Sequence, residues 1–305
     1  MSVNQNATSR QSGSASRPVV PSRARARVTR LVLTCSIAAF AAGCSADSLV
    51  MGENRVAINP GTARREVVSS QGKPVECWVV RSPGCGAGAG GTGAAAREPE
   101  AFVLLLVGKA NRAEYWVALA AESWGRRPVE VWGMNYPGFG GSAGEPRMAN
   151  AAPAALAAFD RLNEVAAGRP VFVHAASFGA ATALAVSARR PVAGMLLWNP
   201  PPLRELIVGH YGWWNLWLVA GPVASRVPAE LDSLENASRS IAPVVFVLAG
   251  ADGVVPPAYQ RRVVDAYAGP KRLIEMPGAG HADPLTREAA AQLSEGMDWL
   301  LRARS

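Results

Sequence analysis

Only 3 histidines and 4 cysteines occur in 305 residues. No metal-ligand cluster, nucleotide fingerprint or flavin motif is present, so no metal and no cofactor is expected. No apolar stretch is long enough to be an internal membrane span. Neither a heptad run nor self-similarity at a period of about 20 to 50 residues is found, which excludes coiled-coil and repeat architectures. Acidic residues are missing altogether before Cys44. Arg10, Arg17, Arg23, Arg25, Arg27 and Arg30 all lie there, so six of the 31 basic residues are at one end and 25 face 23 acidic ones over the rest. The formal charge of +8 therefore does not describe the body of the protein, which is near neutral, and a nucleic-acid partner is not expected. With 49% apolar and 18% charged residues, the chain can bury a large core, as expected of one globular domain.

The basic stretch RARARVTR and the short apolar run LVLTCSIAAFAA (31–42) read as an export signal. Small residues then lead to Cys44 in AAGCSAD, which resembles a bacterial lipobox, with Ala41 where that motif usually has Leu. The resemblance implies lipidation of Cys44, membrane association through that anchor, and a place in the bacterial cell envelope. Ordinary signal cleavage nearby and a retained N-terminal anchor are the competing readings. Cys77 and Cys85 would then be the cysteines of the mature domain, and an oxidising compartment would let them pair. A local disulfide and two free thiols are both open. Residues 45–63 read as a flexible polar tether, with the domain over 64–302.

RREVVSS and PVECWVVR flank Gln71-Gly72 with alternating polarity and predict an antiparallel hairpin. The Gly/Ala run CGAGAGGTGAAAREPE follows no buried strand and opens no helix with Lys-Ser or Lys-Thr, so it reads as a loop rather than a phosphate cradle. Beyond it, continuous apolar runs alternate with helical stretches, the pattern of a mostly parallel sheet with helices on both faces. Strands are expected at 101–107, 128–134, 170–176, 194–198, 243–249 and 271–277. Helices are expected at about 113–124, 151–167, 178–190, 257–268 and 284–302. Residues 199–242 form an insertion rich in tryptophan at its start.

In VFVHAASFGAATALAV an apolar strand ends at Ser177, small residues surround it, and an Ala-rich helix follows. This is the arrangement of a nucleophile elbow, a tight turn that lifts a serine above a sheet. The bland alternative makes Ser177 a helix N-cap. A serine hydroxyl needs a base within reach and a carboxylate behind that base. His281, in the loop MPGAGHADP after a strand, is the candidate base. His174 reads as a packed structural residue, and His210 lies in the insertion. Asp252, just past the strand of VVFVLAGADGVVPP, is the candidate acid, with a plain turn residue as the other reading. Asp283 and Asp265 rank below it, the first for its nearness to His281 and the second for its place on a solvated helix face. Oxyanion donors are expected from the backbone amides of Phe178 and Lys109.

These segments together resemble the α/β-hydrolase superfamily, in particular the small-capped serine hydrolases related to serine aminopeptidase S33-like and Bem46-like proteins. VGKAN, NYPGFGGS (135–142), HAASFGA and the segments around Asp252 and His281 carry the resemblance, which covers about residues 64 to 302. Val107, Asn135 and Ala175 stand where relatives often have His, Asp and Gly. The resemblance implies an α/β-hydrolase fold with a short helical cap over 199–242, and hydrolysis through an acyl-enzyme. Carboxylic esters, of small molecules or lipids, are the leading substrates, with thioesters and peptides open. A catalytically weak scaffold with a binding role is the alternative. The aromatic stretch HYGWWNLWLVAG fits an acyl-pocket wall, a lipid-facing surface or plain core packing.

Overall fold

The computed structural model describes residues 47, 50–86, 97–212 and 220–303. The export signal with Cys44, most of the Gly/Ala run and the tryptophans of the insertion lie outside the described residues.

The expected hairpin forms from β1 (Arg64–Ser70) and β2 (Lys73–Arg81), and six apolar runs become β3 (Ala101–Leu106), β4 (Val129–Met134), β5 (Val171–Ala176), β6 (Gly194–Trp198), β7 (Val244–Ala249) and β8 (Lys271–Met276). They make one eight-stranded sheet in the order β1-β2-β4-β3-β5-β6-β7-β8. β2 is antiparallel to β1 and β4, and the remaining pairs are parallel. β3, β4 and β7 are buried at every residue, which is why β3 and β7 read as unbroken apolar runs and β4 as one interrupted only by Glu130. The edges carry charge, Arg64, Arg65 and Glu66 on β1 and Lys271 and Arg272 on β8, as strands with an open side require.

Helices α1 (Ala113–Ser123), α2 (Met148–Ala166), α3 (Phe178–Ser187), α4 (Leu203–Gly209), α5 (Ala220–Ala224), α6 (Ser233–Arg239), α7 (Pro257–Ala266) and α8 (Arg287–Arg302) connect and cover the strands. Arg127, just past α1, donates to Asp298 of α8 at 2.7 Å, so these two helices share one face of the sheet. Phe172 and Gly194 point to that face, since a Cβ at Gly194 would meet Leu300 of α8 and Phe172 itself. Alternation puts His174 on the same side. The insertion supplies α4, α5 and α6.

One expectation is corrected and one open alternative is decided. Residues 50–63 are not a free tether: Met51 is fully buried in the core, and Asn54 forms a parallel bridge with Phe139. A run of only three apolar residues, 49–51, in a polar stretch gives no periodicity, so nothing in the sequence announces this docking. Cys77 and Cys85 are free and buried, not paired. Cys77 pairs in register with Met134 while Cys85 Sγ donates to Val129 O at 3.6 Å, so the two stand at opposite ends of β4, about 16 Å apart at roughly 3.3 Å per residue and well beyond the roughly 7 Å Cα limit for a disulfide. Burial, and then the neighbouring Glu76 charge, push the Cys77 thiol up to about 12, and burial likewise raises that of Cys85.

Candidate functional site

β5 passes into α3 through Ser177, whose φ of 53° and ψ of −123° lie where a residue with a Cβ is strained by about 1–3 kcal/mol. Its N–H donates to Trp198 O at 2.8 Å, and its carbonyl accepts from Ala180 N–H at 2.8 Å, which hold the turn. Ser177 stands at the N-cap position of α3, but its side chain makes no capping hydrogen bond, so capping does not account for a serine there. Close packing explains the small neighbours. A Cβ at Gly179 would fall 2.0 Å from Leu106 O, so only glycine lets α3 begin this near the end of β3. Ala175 is fully buried between its register partners Leu106 and Leu197, and the sheet accommodates its methyl.

Asp252, three residues beyond β7, has a fully buried carboxyl, and its Oδ2 lies 2.7 Å from His281 Nδ1. Oδ1 accepts from the N–H groups of Val254 and Val255, each at 2.8 Å. A carboxylate so held is fixed in orientation, and it fixes the imidazole in turn. The turn-residue reading of Asp252 is thus true of its Oδ1 and misses what its Oδ2 does. Among the described residues, Ser177 Oγ has no hydrogen bond to His281; such links often tighten only in the complex with substrate.

Two residues unmarked by sequence reasoning complete the acid–base pair. Gln260 of α7, fully buried, donates from Nε2 to the same Asp252 oxygen at 3.1 Å and to Val255 O at 2.7 Å. Its signal is a polar residue on the face it shares with buried Val263 and Val264, one turn on. Asn199, at φ 44° after β6, donates to the His281 carbonyl at 3.1 Å and accepts from Ala249 N–H at 2.9 Å. It ties the imidazole loop to the ends of two central strands.

The other candidates fall elsewhere. Asp283 Oδ2 accepts from Gly280 N–H at 2.7 Å, a turn contact within the His281 loop. Asp265 sits on α7 with its side chain exposed. His210 Nε2 lies 3.3 Å from Gly253 O, a latch between the cap and the Asp252 loop. His174 Nδ1 is buried without a partner among the described residues, its ring stacked on Trp198 at 6.4 Å and 25°. Burial pushes that imidazole down to about 4, so it is neutral at physiological pH.

A cavity of about 250 Å³ opens beside the elbow. Ser177, Phe178 and Lys109 stand in its wall with Val50, Leu203, Leu206, Ile207, Tyr211, Ala220, Val223, Val254 and Val255, and neither Asp252 nor His281 does. Lys109 is the only charged residue in that wall among the described residues. α4 and α5 of the insertion therefore build the roof of an apolar chamber, with the hydroxyl of Ser177 at one side. The elements that bring Ser177, Phe178 and Lys109 together are the ends of β3 and β5, at the carboxyl edge of the parallel strands, where loops of such sheets gather ligands.

No protein-family model matches the sequence. An uncharacterized protein of Mycobacterium tuberculosis, in strains CDC 1551 and H37Rv, is 32% identical over 179 residues, 58% of this chain. The chain spans 59% of the length of that relative. Among solved structures, Est1E from Butyrivibrio proteoclasticus with ferulic acid bound is similar at a TM-score of 0.61 and 14% identity, covering 78% of this chain and 99% of that one. The Pyrococcus furiosus esterase Pf2001 is similar at 0.59 and 13%, covering 81% and 97%. A monoacylglycerol lipase from Paleococcus ferrophilus is similar at 0.51 and 20%, covering 68% and 96%. The sheet order and these likenesses agree: the chain has the α/β-hydrolase fold expected from its sequence.

Proposed function

We propose that the protein is a serine hydrolase that cleaves carboxylic esters with apolar acyl groups through an acyl-enzyme. The observation that carries this reading is the strained Ser177 turn at the wall of an apolar chamber, with a separate Asp252–His281 pair held at 2.7 Å.

In this reading Ser177 Oγ attacks the acyl carbon while His281 Nε2 takes the hydroxyl proton. Asp252 holds Nδ1–H and stabilises the imidazolium that results. The N–H groups of Phe178 and Lys109 donate to the oxygen that becomes negative. Collapse of the tetrahedral intermediate expels the alkoxide, which leaves as alcohol with the proton from His281. Water then attacks the acyl-enzyme, His281 again accepting a proton, and the carboxylic acid departs. The chamber is smaller than the roughly 300 Å³ at which drug-sized pockets begin, which favours short to medium acyl chains over long ones.

Ser177→Ala should abolish hydrolysis of p-nitrophenyl esters by the otherwise intact protein. Equal rates for both would defeat the proposal, and a folded protein inert to every ester would favour the binding-scaffold alternative. Within the fold, NYPGFGGS and HAASFGA support kinship with S33-like and Bem46-like hydrolases. The basic and apolar N-terminal stretches support export and lipid anchoring at Cys44, with an envelope ester as substrate. Incorporation of labelled fatty acid, and its loss in Cys44→Ala, tests the anchor.

A further inference from the structure

The segment before β1 crosses two loops of the site. Val50 is part of the cavity wall and Met51 is fully buried. The Asn54 carbonyl accepts from Gly140 N–H at 2.9 Å and from Arg112 Nη1 at 3.0 Å, and Val56 O accepts from the same Nη1 at 2.9 Å. The Asn54 side chain reaches further: its Nδ2 donates to the carbonyl of Ala110 at 2.8 Å.

Ala110 belongs to the turn that carries Lys109. Asn111 N–H donates to Gly108 C=O at 3.2 Å to close that turn, and Ala110 takes φ 61°. This is the left-handed region, which a Cβ disfavours and where turns ordinarily use glycine or asparagine. A strained alanine persists only if contacts outside the turn hold it, and Asn54 supplies one to its carbonyl. The turn lies against the elbow, since a Cβ at Gly108 would be 3.5 Å from Ser177 Cβ. A shift of the turn is therefore a shift of Lys109 relative to Ser177.

We propose that Asn54 is a positioning residue for acyl transfer: it holds the 108–111 turn so that the Lys109 amide stays aimed at the developing oxyanion. Residues 50–56 are then a strap that completes the site. This inference rests on the proposed role of Ser177, and its test separates the two.

The test uses the full chain, Asn54→Ala, and Asn54→Ala combined with Ala110→Gly, which removes the strained Cβ. Two quantities are read: hydrogen exchange at amides 109–112, and the rate at which a fluorophosphonate modifies Ser177, with kcat and KM for an ester alongside. Asn54→Ala should exchange faster at 109–112 with β3 and β5 unchanged, and should react about ten- to a hundredfold more slowly, the loss falling in kcat. Glycine at 110 should recover most of that rate. Unchanged exchange and rate would overturn the inference, as would a loss accompanied by faster exchange throughout the domain, which is the mark of a merely structural role. If unaltered protein fails to react while exchange at 109–112 responds to Asn54→Ala, the nucleophile role falls and the hold of the strap on the turn stands.

Discussion

Asn135 donates from Nδ2 to Oε2 of Glu76 at 2.9 Å, with both side chains buried. The same amide nitrogen donates to Glu114 Oε2 at 2.9 Å, and Oδ1 accepts from Ala113 N–H, the first residue of α1, at 2.9 Å. Arg112 pairs with Glu114 and Arg65 with Glu76. Two carboxylates therefore already share this interior, which explains an amide rather than a third acid at 135. Burial pushes the Glu76 carboxyl up, but hydrogen bonds from Gly141 N–H, Arg65 and Asn135 outweigh it and hold Glu76 below its ordinary value.

Asn135→Asp should cost about 3 kcal/mol at pH 7, because it removes two donors and buries a further charge without a partner. The deficit should shrink as pH falls and the new carboxyl takes up a proton. Denaturant midpoints of both proteins at pH 7 and pH 5 measure it.

Gly179→Ala should destabilise by about 3 kcal/mol or prevent folding, since the new methyl meets backbone rather than a side chain that could turn away. Ala175→Gly should be nearly silent at the site and cost only the propensity difference, about 1 kcal/mol. Thermal melts of the two variants compare them directly.

Much of this architecture is legible in the sequence because each signal is local. β3 and β7 announce themselves as apolar runs, and Ser177 by the strand before it and the small residues around it. Gln260 and Asn199 are silent because their meaning lies in partners across the fold, Asp252 and the His281 carbonyl. The strap is silent for a related reason: Val50 and Met51 end an apolar run too short to show a period, and Asn54 acts through a carbonyl 56 residues away. Whether Cys77 and Cys85 pair is not legible because nearness along the chain says nothing of which end of β4 each side chain meets.

Stability should fall on acidification. His174 takes up a proton near 6.5 when unfolded but only near 4 when folded, so below about 6.5 unfolding is coupled to proton uptake. The stability present above that value is lost progressively toward pH 4, by up to about 3 kcal/mol. Glu76, lowered from 4.5, acts in the same direction at the acid end of this window. His174→Phe, which keeps a ring against Trp198, should flatten the decline in melting temperature between pH 7 and pH 5.

The cap should set acyl length. Ile207 of α4 lines the chamber, and Ile207→Trp should shift preference toward acetyl and propionyl esters by at least about tenfold, the scale of one or two methylenes in an apolar pocket. Rates across a p-nitrophenyl ester series from acetyl to decanoyl show the shift.

The most direct measurement is the site of covalent modification. Protein treated with a fluorophosphonate, digested and sequenced by mass spectrometry should carry a single adduct at Ser177. That adduct should be absent from Ser177→Ala and form at least about a hundredfold more slowly in His281→Gln, which lacks the base. A folded protein left unmodified, or modified at any other serine, would contradict the account.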